Sequence, residues 1–170
     1  MDPPGTLVAS PTRVSRPQRV DGFSYVGVIR YFLTTCTHDR SPRFVDTDVA
    51  AETMKQFRRT AALEGFAILA YCLMPDHAHF LVEGLRDDAD FRRFVKLAKQ
   101  RSGGIHARRH PGERLWQEGY FDRVLREDDD LKSFARYIVG NPVRGNLVSS
   151  PSEYPYVGSD VWPIDELIEA

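Results

Sequence analysis

Long apolar runs are missing from this sequence, and nothing in it approaches the length needed to span a bilayer. The opening residues hold no hydrophobic segment of the kind that directs secretion, so the expectation is a cytoplasmic protein with no membrane partner. Cysteine is scarce. Cys36 and Cys72 are the only two, they lack paired metal-binding spacing, and both sit in strand-like runs where buried reduced thiols are expected. No Gly-x-x-x-x-Gly-Lys stretch occurs, so no nucleotide-cradling loop is expected. Internal repeats and low-complexity tracts are absent too. Nor is there global basicity: the formal net charge is −1 over 170 residues, and overall charge alone does not advertise nucleic acid.

What is present is a chain with enough apolar residues, 42%, to build one ordinary domain. Its charge is unevenly distributed. Arg92, Arg93, Lys96, Lys99, Arg101, Arg108 and Arg109 follow one another with no acid between them, while acids gather at Asp128–Asp130 and in the tail. The backbone-neutralising surface that a nucleic-acid partner needs is therefore expected on that basic stretch.

Periodicity and punctuation divide the chain. Residues 1–20, with Pro3, Pro4, Pro11 and Pro17, read as a flexible arm whose Arg13, Arg16 and Arg19 can touch phosphate. Residues 21–150 read as the folded domain and 151–170 as an irregular tail. A first strand is expected over Tyr25–Thr37. A helix capped by Asp46 or Thr47 follows and runs to about Glu64, with Gly65 ending it. Phe66–Met74 reads as a central strand, and after Met74-Pro75-Asp76 the strand His77–Glu83 returns as its hairpin partner. The next helix, capped by Asp87 or Asp88, is expected to stop near Ser102, before Gly103-Gly104. Its apolar stripe is Phe91, Phe94, Val95 and Ala98, with Arg92, Arg93, Lys96 and Lys99 turned to solvent. Leu115–Arg126 reads as a fourth strand. Asp128–Asp130 then cap a helix that ends at Asn141-Pro142. The order β-α-β-β-α-β-α predicts an α+β fold: a ferredoxin-like split βαβ unit, its antiparallel sheet covered by helices on one face, with one helix added.

Two short stretches carry chemistry. In His77-Ala78-His79 the imidazoles are two apart on a strand, so they project together and suit a divalent cation, while Ala78, Phe80 and Val82 fill the core. Tyr137 and Asn141, four apart on a helix, lie on one side a turn apart and flank the apolar stripe of Leu131, Phe134 and Ile138. His-x-His also arises by chance, and a boundary tyrosine also serves simply as packing. Trp116, Tyr120 and Phe121 suit either base stacking or the core. His38, His106 and His110 sit in loop-like settings, the last two among arginines.

Taken together in chain order, Met74-Pro75-Asp76-His77-Ala78-His79, the stretch Leu115-Trp116-Gln117-Glu118-Gly119-Tyr120-Phe121-Asp122-Arg123-Val124-Leu125-Arg126, and Tyr137 with Asn141-Pro142-Val143-Arg144 resemble the single-tyrosine HUH transposases. The resemblance is closest to REP-associated tyrosine transposases and covers about residues 23–148. It implies that His77 and His79 ligate Mg²⁺ or Mn²⁺, with Asn141 at the position of a polar third ligand. It implies that Tyr137 is the nucleophile, carried on an added catalytic helix, and that single-stranded DNA is cut and rejoined through a 5′-phosphotyrosine link. Hairpin or palindromic elements are the implied partner. A homodimer is one implied arrangement, with Tyr137 serving its own histidine pair or a partner's. Three other readings stay open. One is a metal-dependent phosphodiesterase that uses water. Another is a non-catalytic single-stranded nucleic-acid-binding module on the same β-α-β-β-α-β frame. The weakest is a zinc site joining Cys36 or Cys72 to the histidines.

Overall fold

The computed structural model describes residues 22–168, so the N-terminal arm expected over 1–20 lies outside the described residues. Strand β1 spans Arg30–Cys36 and leads through two short 3-10 turns to helix α1, Thr47–Glu64. Asp46 caps this helix, accepting from the backbone N–H groups of Asp48 and Val49, and Gly65 ends it at φ 77°. Strands β2, Phe66–Met74, and β3, His77–Gly84, form the expected hairpin, followed by helix α2, Phe91–Arg109, and strand β4, Phe121–Leu125. Helices α3, Leu131–Val139, and α4, Asn141–Arg144, come next, then strand β5, Val157–Gly158, and helix α5, Ile164–Ile168.

The sheet runs β4-β1-β3-β2-β5 and every pairing is antiparallel. Its first four strands have the ferredoxin-like order, and the α+β class holds. β1 and β3 occupy the middle, whereas β2, expected to be central, is flanked on one side only by the two-residue β5.

Two cores lie on the two sheet faces. Tyr31, Leu33, Ala78, Phe80 and Val82 point to α1 and α2, where Phe57 stacks on Phe80 with ring centroids 4.3 Å apart. Phe32, Cys72, Met74 and Leu81 point to the other face, under Phe134, Ala135 and Ile138 of α3. The register of β2 shifts between Ile68 and Ala70. This bulge returns Ala70, Cys72 and Met74 to the face that Leu69 also serves. Among the described residues, no helix is long and apolar enough to cross a membrane.

Several boundaries differ from expectation, each for a local reason. Gly27 at φ 119° turns the chain, so residues 25–27 leave the ladder and bond beside the start of α2 instead, with Gly27 N–H donating to Ala89 O at 2.9 Å. α2 is capped by Asp90 rather than Asp87 or Asp88 and continues through Gly103-Gly104 to Arg109. Two helical glycines oppose this by about 1 kcal/mol each. Packing outweighs them: Ser102 and His106 are buried, Trp116 Nε1 donates to Ser102 Oγ at 2.9 Å, and a Cβ on Gly103 would already touch the Trp116 ring at 3.5 Å. The expected fourth strand is split. Gln117 N–H bonds to Cys36 O at the end of β1, Gly119 turns at φ 80°, and only Phe121–Leu125 joins the sheet. As expected, α3 stops beside Asn141-Pro142, at Val139, but that dipeptide does not end helical structure. It opens α4, where a proline in the first turn removes no needed hydrogen bond. The tail is not irregular, since Leu73 N–H donates to Tyr156 O at 2.9 Å beside β5, and Trp162, Ile164 and Leu167 join the α3 core.

Candidate active site

Strand alternation puts His77 and His79 on the sheet face opposite α1 and α2. In register, His77 lies between Cys36 and Met74, and His79 between Thr34 and Cys72. The imidazole centroids are 4.8 Å apart and nearly perpendicular. Each ring is held through Nδ1. Asp76 Oδ1 accepts from His77 Nδ1 at 2.7 Å, and His79 Nδ1 shares a hydrogen bond with Thr34 Oγ1 at 2.9 Å. That leaves Nε2 of each ring available to a metal ion, the arrangement in which an outer carboxylate or hydroxyl can orient a metal-binding histidine. Burial, then the neighbouring His77, Arg144 and Arg40, keep the His79 pKa well below its ordinary value, which favours the neutral ring, the form able to bind a metal. The hydrogen bond from His77, and then that from Arg40, pull Asp76 down to about 2.

These residues fit a divalent cation as two imidazole ligands. Among the described residues, no cluster of three or more His, Cys, Asp or Glu side chains is arranged to hold one. Cys36 and Cys72 are buried free thiols. Burial pushes both up, Cys72 to about 12, so at neutral pH they are thiols and not the thiolates a zinc site uses.

Tyr137 stands on α3 over the same face. Its ring centroid is 6.2 Å from that of Phe32, which in turn is 5.6 Å from that of His79, so the Phe32 ring neighbours both side chains. The Arg144 guanidinium lies 4.1 Å over the Tyr137 ring, and Arg144 Nη2 donates to the Tyr137 carbonyl. Asn141 turns its amide nitrogen to the helix end, where Nδ2 donates to Ile138 O at 3.2 Å. In this structure it caps α3.

The basic stretch of α2 is not brought to this site; it occupies the opposite layer. Arg93 pairs with Glu64 at 2.8 Å and Arg109 with Glu52 at 3.2 Å. Arg101 donates to Thr60 Oγ1, and Arg92 lies 4.4 Å over the Tyr25 ring. Lys96 and Arg108 are exposed. Lys99 departs from the expected solvent orientation: Nζ donates to the carbonyls of Gln117 and Gly119, and burial pushes its pKa down to about 8. Trp116 is also corrected. It is 7% exposed and packed against Phe44 and Phe57, so it has no open ring face for a base. His106 is helical and buried, stacked on His110 at 4.6 Å. A cavity of about 530 Å³ between the start of α1 and the end of α2 contains neither the histidine pair nor Tyr137.

Sequence reasoning missed Thr34, Arg40, Asp76 and Arg144 as neighbours of the site. Asp76 and Arg144 were visible beside the two motifs. Thr34 follows only from strand register, and Arg40 had no signal.

Fold and face together define a class of small α+β domains that present a histidine pair and a helix-borne tyrosine on one side of an antiparallel sheet. Residues 25–141 match the family described as Transposase IS200 like, and the chain belongs to that family. A candidate REP-associated tyrosine transposase of Haemophilus influenzae is 26% identical over 153 residues, covering 79% of this chain and 85% of that protein. A REP-associated tyrosine transposase of Escherichia coli is 26% identical over 107 residues, 59% of this chain and 62% of that protein. Among solved structures, a REP-associated tyrosine transposase bound to a REP hairpin superposes with a TM-score of 0.66 at 21% identity, covering 82% of this chain and 81% of that one. A candidate transposase from Deinococcus radiodurans gives 0.52 at 24% identity, covering 76% and 98%. At these identities the two structures speak to the fold.

Proposed function

We propose that this transposase cuts and rejoins single-stranded DNA through a covalent 5′-phosphotyrosine link on Tyr137, with His77 and His79 as ligands of Mg²⁺ or Mn²⁺. The observation that carries the reading is the pair of imidazoles, each held through Nδ1, on the same sheet face as Tyr137. His77 and His79 would hold the cation, which would supply charge neutralisation at a non-bridging phosphate oxygen. The phenol oxygen of Tyr137 forms the new bond to phosphorus as the bond to the 3′-oxygen breaks. The phenol gives up its proton as the bond forms, the 3′-oxygen takes one up and leaves as a 3′-hydroxyl, and rejoining reverses the exchange. The ester bond energy is conserved, which accords with the lack of a nucleotide loop in the sequence. Hairpin-forming single strands are the proposed substrate, since a relative's structure is of a complex with a REP hairpin.

The deciding experiment uses hairpin oligonucleotides with Mg²⁺ or Mn²⁺. Wild type gives a protein–DNA adduct on a denaturing gel, mapped to Tyr137 by peptide mass. Tyr137→Phe keeps the ring against Phe32 and Arg144 and binds DNA within about 1 kcal/mol of wild type, yet forms none. Cutting by wild type with a free 5′-phosphate and no adduct would assign the nucleophile to water.

A further inference from the structure

The turn after β1 contains two consecutive non-glycine residues in the left-handed region, Asp39 at φ 54° and Arg40 at φ 53°. Such residues persist only where their surroundings impose them. Here the surroundings are the loop that carries His77. Thr37 N–H donates to Asp76 O, Phe44 N–H donates to Pro75 O, both at 3.0 Å, and the buried Thr37 hydroxyl lies 3.0 Å from the same Asp76 carbonyl. The strained turn sends the Arg40 side chain back over this loop. Its Nε donates to Asp76 Oδ2 at 2.9 Å and its Nη1 to Cys36 Sγ at 3.3 Å. The other carboxylate oxygen of Asp76 accepts from His77 Nδ1. The Arg40 and Asp76 side chains are 27% and 30% exposed, so the pair is partly shielded from solvent and its geometry is held by packing as well as by charge. The two left-handed residues thus coincide with the contact that ties Arg40 to the loop carrying His77.

We propose that Arg40 is a positioning residue for His77: by holding Oδ2 of Asp76 it keeps Oδ1 facing the imidazole, the proton of that ring on Nδ1 and its Nε2 lone pair turned to the cation site. Without the guanidinium, the Asp76 carboxylate is able to rotate toward water, and His77 loses the partner that selects its tautomer. The cation half of this statement rests on the function proposed above; the tautomer half does not.

The test compares wild type with Arg40→Met, which keeps the stem, and Arg40→Lys, which keeps the charge. Nitrogen NMR of the metal-free full chain at about pH 8, where an ordinary imidazole is neutral, reads the His77 tautomer, and electron paramagnetic resonance of added Mn²⁺ reads affinity. Wild type should show one tautomer, Nδ1–H. Arg40→Met should show a mixture at His77 with His79 unchanged, and Mn²⁺ affinity lower by about tenfold. Arg40→Lys should recover part of both, because one ammonium reaches Asp76 but cannot fork to Cys36. An unchanged His77 tautomer with Mn²⁺ affinity within about twofold of wild type overturns the proposal. Should Arg40→Met fail to fold, Asp76→Asn replaces it, and a retained single Nδ1–H tautomer there overturns the proposal equally. If wild type binds no Mn²⁺ while Arg40→Met still mixes tautomers, Arg40 remains the positioning residue and the cation reading falls instead.

Discussion

His77 and His79 have separate supports, Asp76 for one and Thr34 for the other, so neither ring relies on its neighbour for orientation. Replacing both with alanine leaves the α1–α2 core untouched, because the pair lies on the other face. The double variant should stay folded by circular dichroism and lose Mg²⁺- or Mn²⁺-dependent cutting at saturating DNA. Full cutting by it would remove the cation from these residues. Lys99 offers a different residue-scale test. Its folded pKa is about 8, below the ordinary lysine value of about 10.4. Between those values the unfolded chain holds a proton that the folded chain has released, so stability rises with pH across that window. Relative to Lys99→Met, wild type should gain up to roughly 3 kcal/mol from pH 8 to 10.5, read by urea unfolding. A flat difference would show that the two carbonyl acceptors fully offset the burial of the ammonium.

At the scale of elements, α2 is both a core helix and the bearer of the basic run. Phe91, Phe94, Val95 and Ala98 are buried against the sheet and α1, while Arg92, Arg93, Lys96 and Arg108 remain exposed. Because α2 and the histidines occupy opposite layers, any phosphate that α2 meets lies away from the histidine pair. The proposed hairpin substrate would offer stem phosphates for such remote binding. Replacing Arg92, Arg93, Lys96 and Arg108 with glutamine should weaken binding of every hairpin tested. The slope of affinity against salt should fall by about 0.7–0.9 for each phosphate no longer neutralised. A wild-type slope would make this helix face merely solvated. For α3 the useful feature is its ending. Gly140 leaves room for Arg144 to fold back, since a Cβ there would meet Arg144 Nη1 at 2.8 Å. The guanidinium can then lie on the Tyr137 ring.

Over the whole molecule, residues 151–168 complete the sheet and brace the tyrosine helix. β5 covers the outer edge of β2, and Leu167, 3% exposed, packs with Trp162 and Ile164 against the α3 core. An open edge invites association with other chains. Removing residues 151–170 should therefore lower unfolding stability by about 2–4 kcal/mol, the scale of one or two buried apolar side chains, and promote aggregation. A urea midpoint equal to that of the full chain would show that α3 holds to the sheet unaided.

Sequence by itself determined the element order, the two-sided strand His77–Gly84, the helix from Asp46 to Gly65 and the positions of the histidines and tyrosine. Each of these depends on alternation, helical period or a terminating residue, all local properties of the chain. Tertiary structure decided what locality cannot contain. Glycines 103 and 104 are helical because Trp116 and Ser102 meet across the fold. Trp116 became core and Lys99 turned inward for the same reason, as packing from the 113–120 segment outweighed the solvent preference written in the helix pattern. The tail became a strand and a helix because β2 had an unpaired edge. Arg40 reached His77 through Asp76 across 36 residues of chain, a meeting set only by strand register and by a turn whose left-handed residues no local pattern announces.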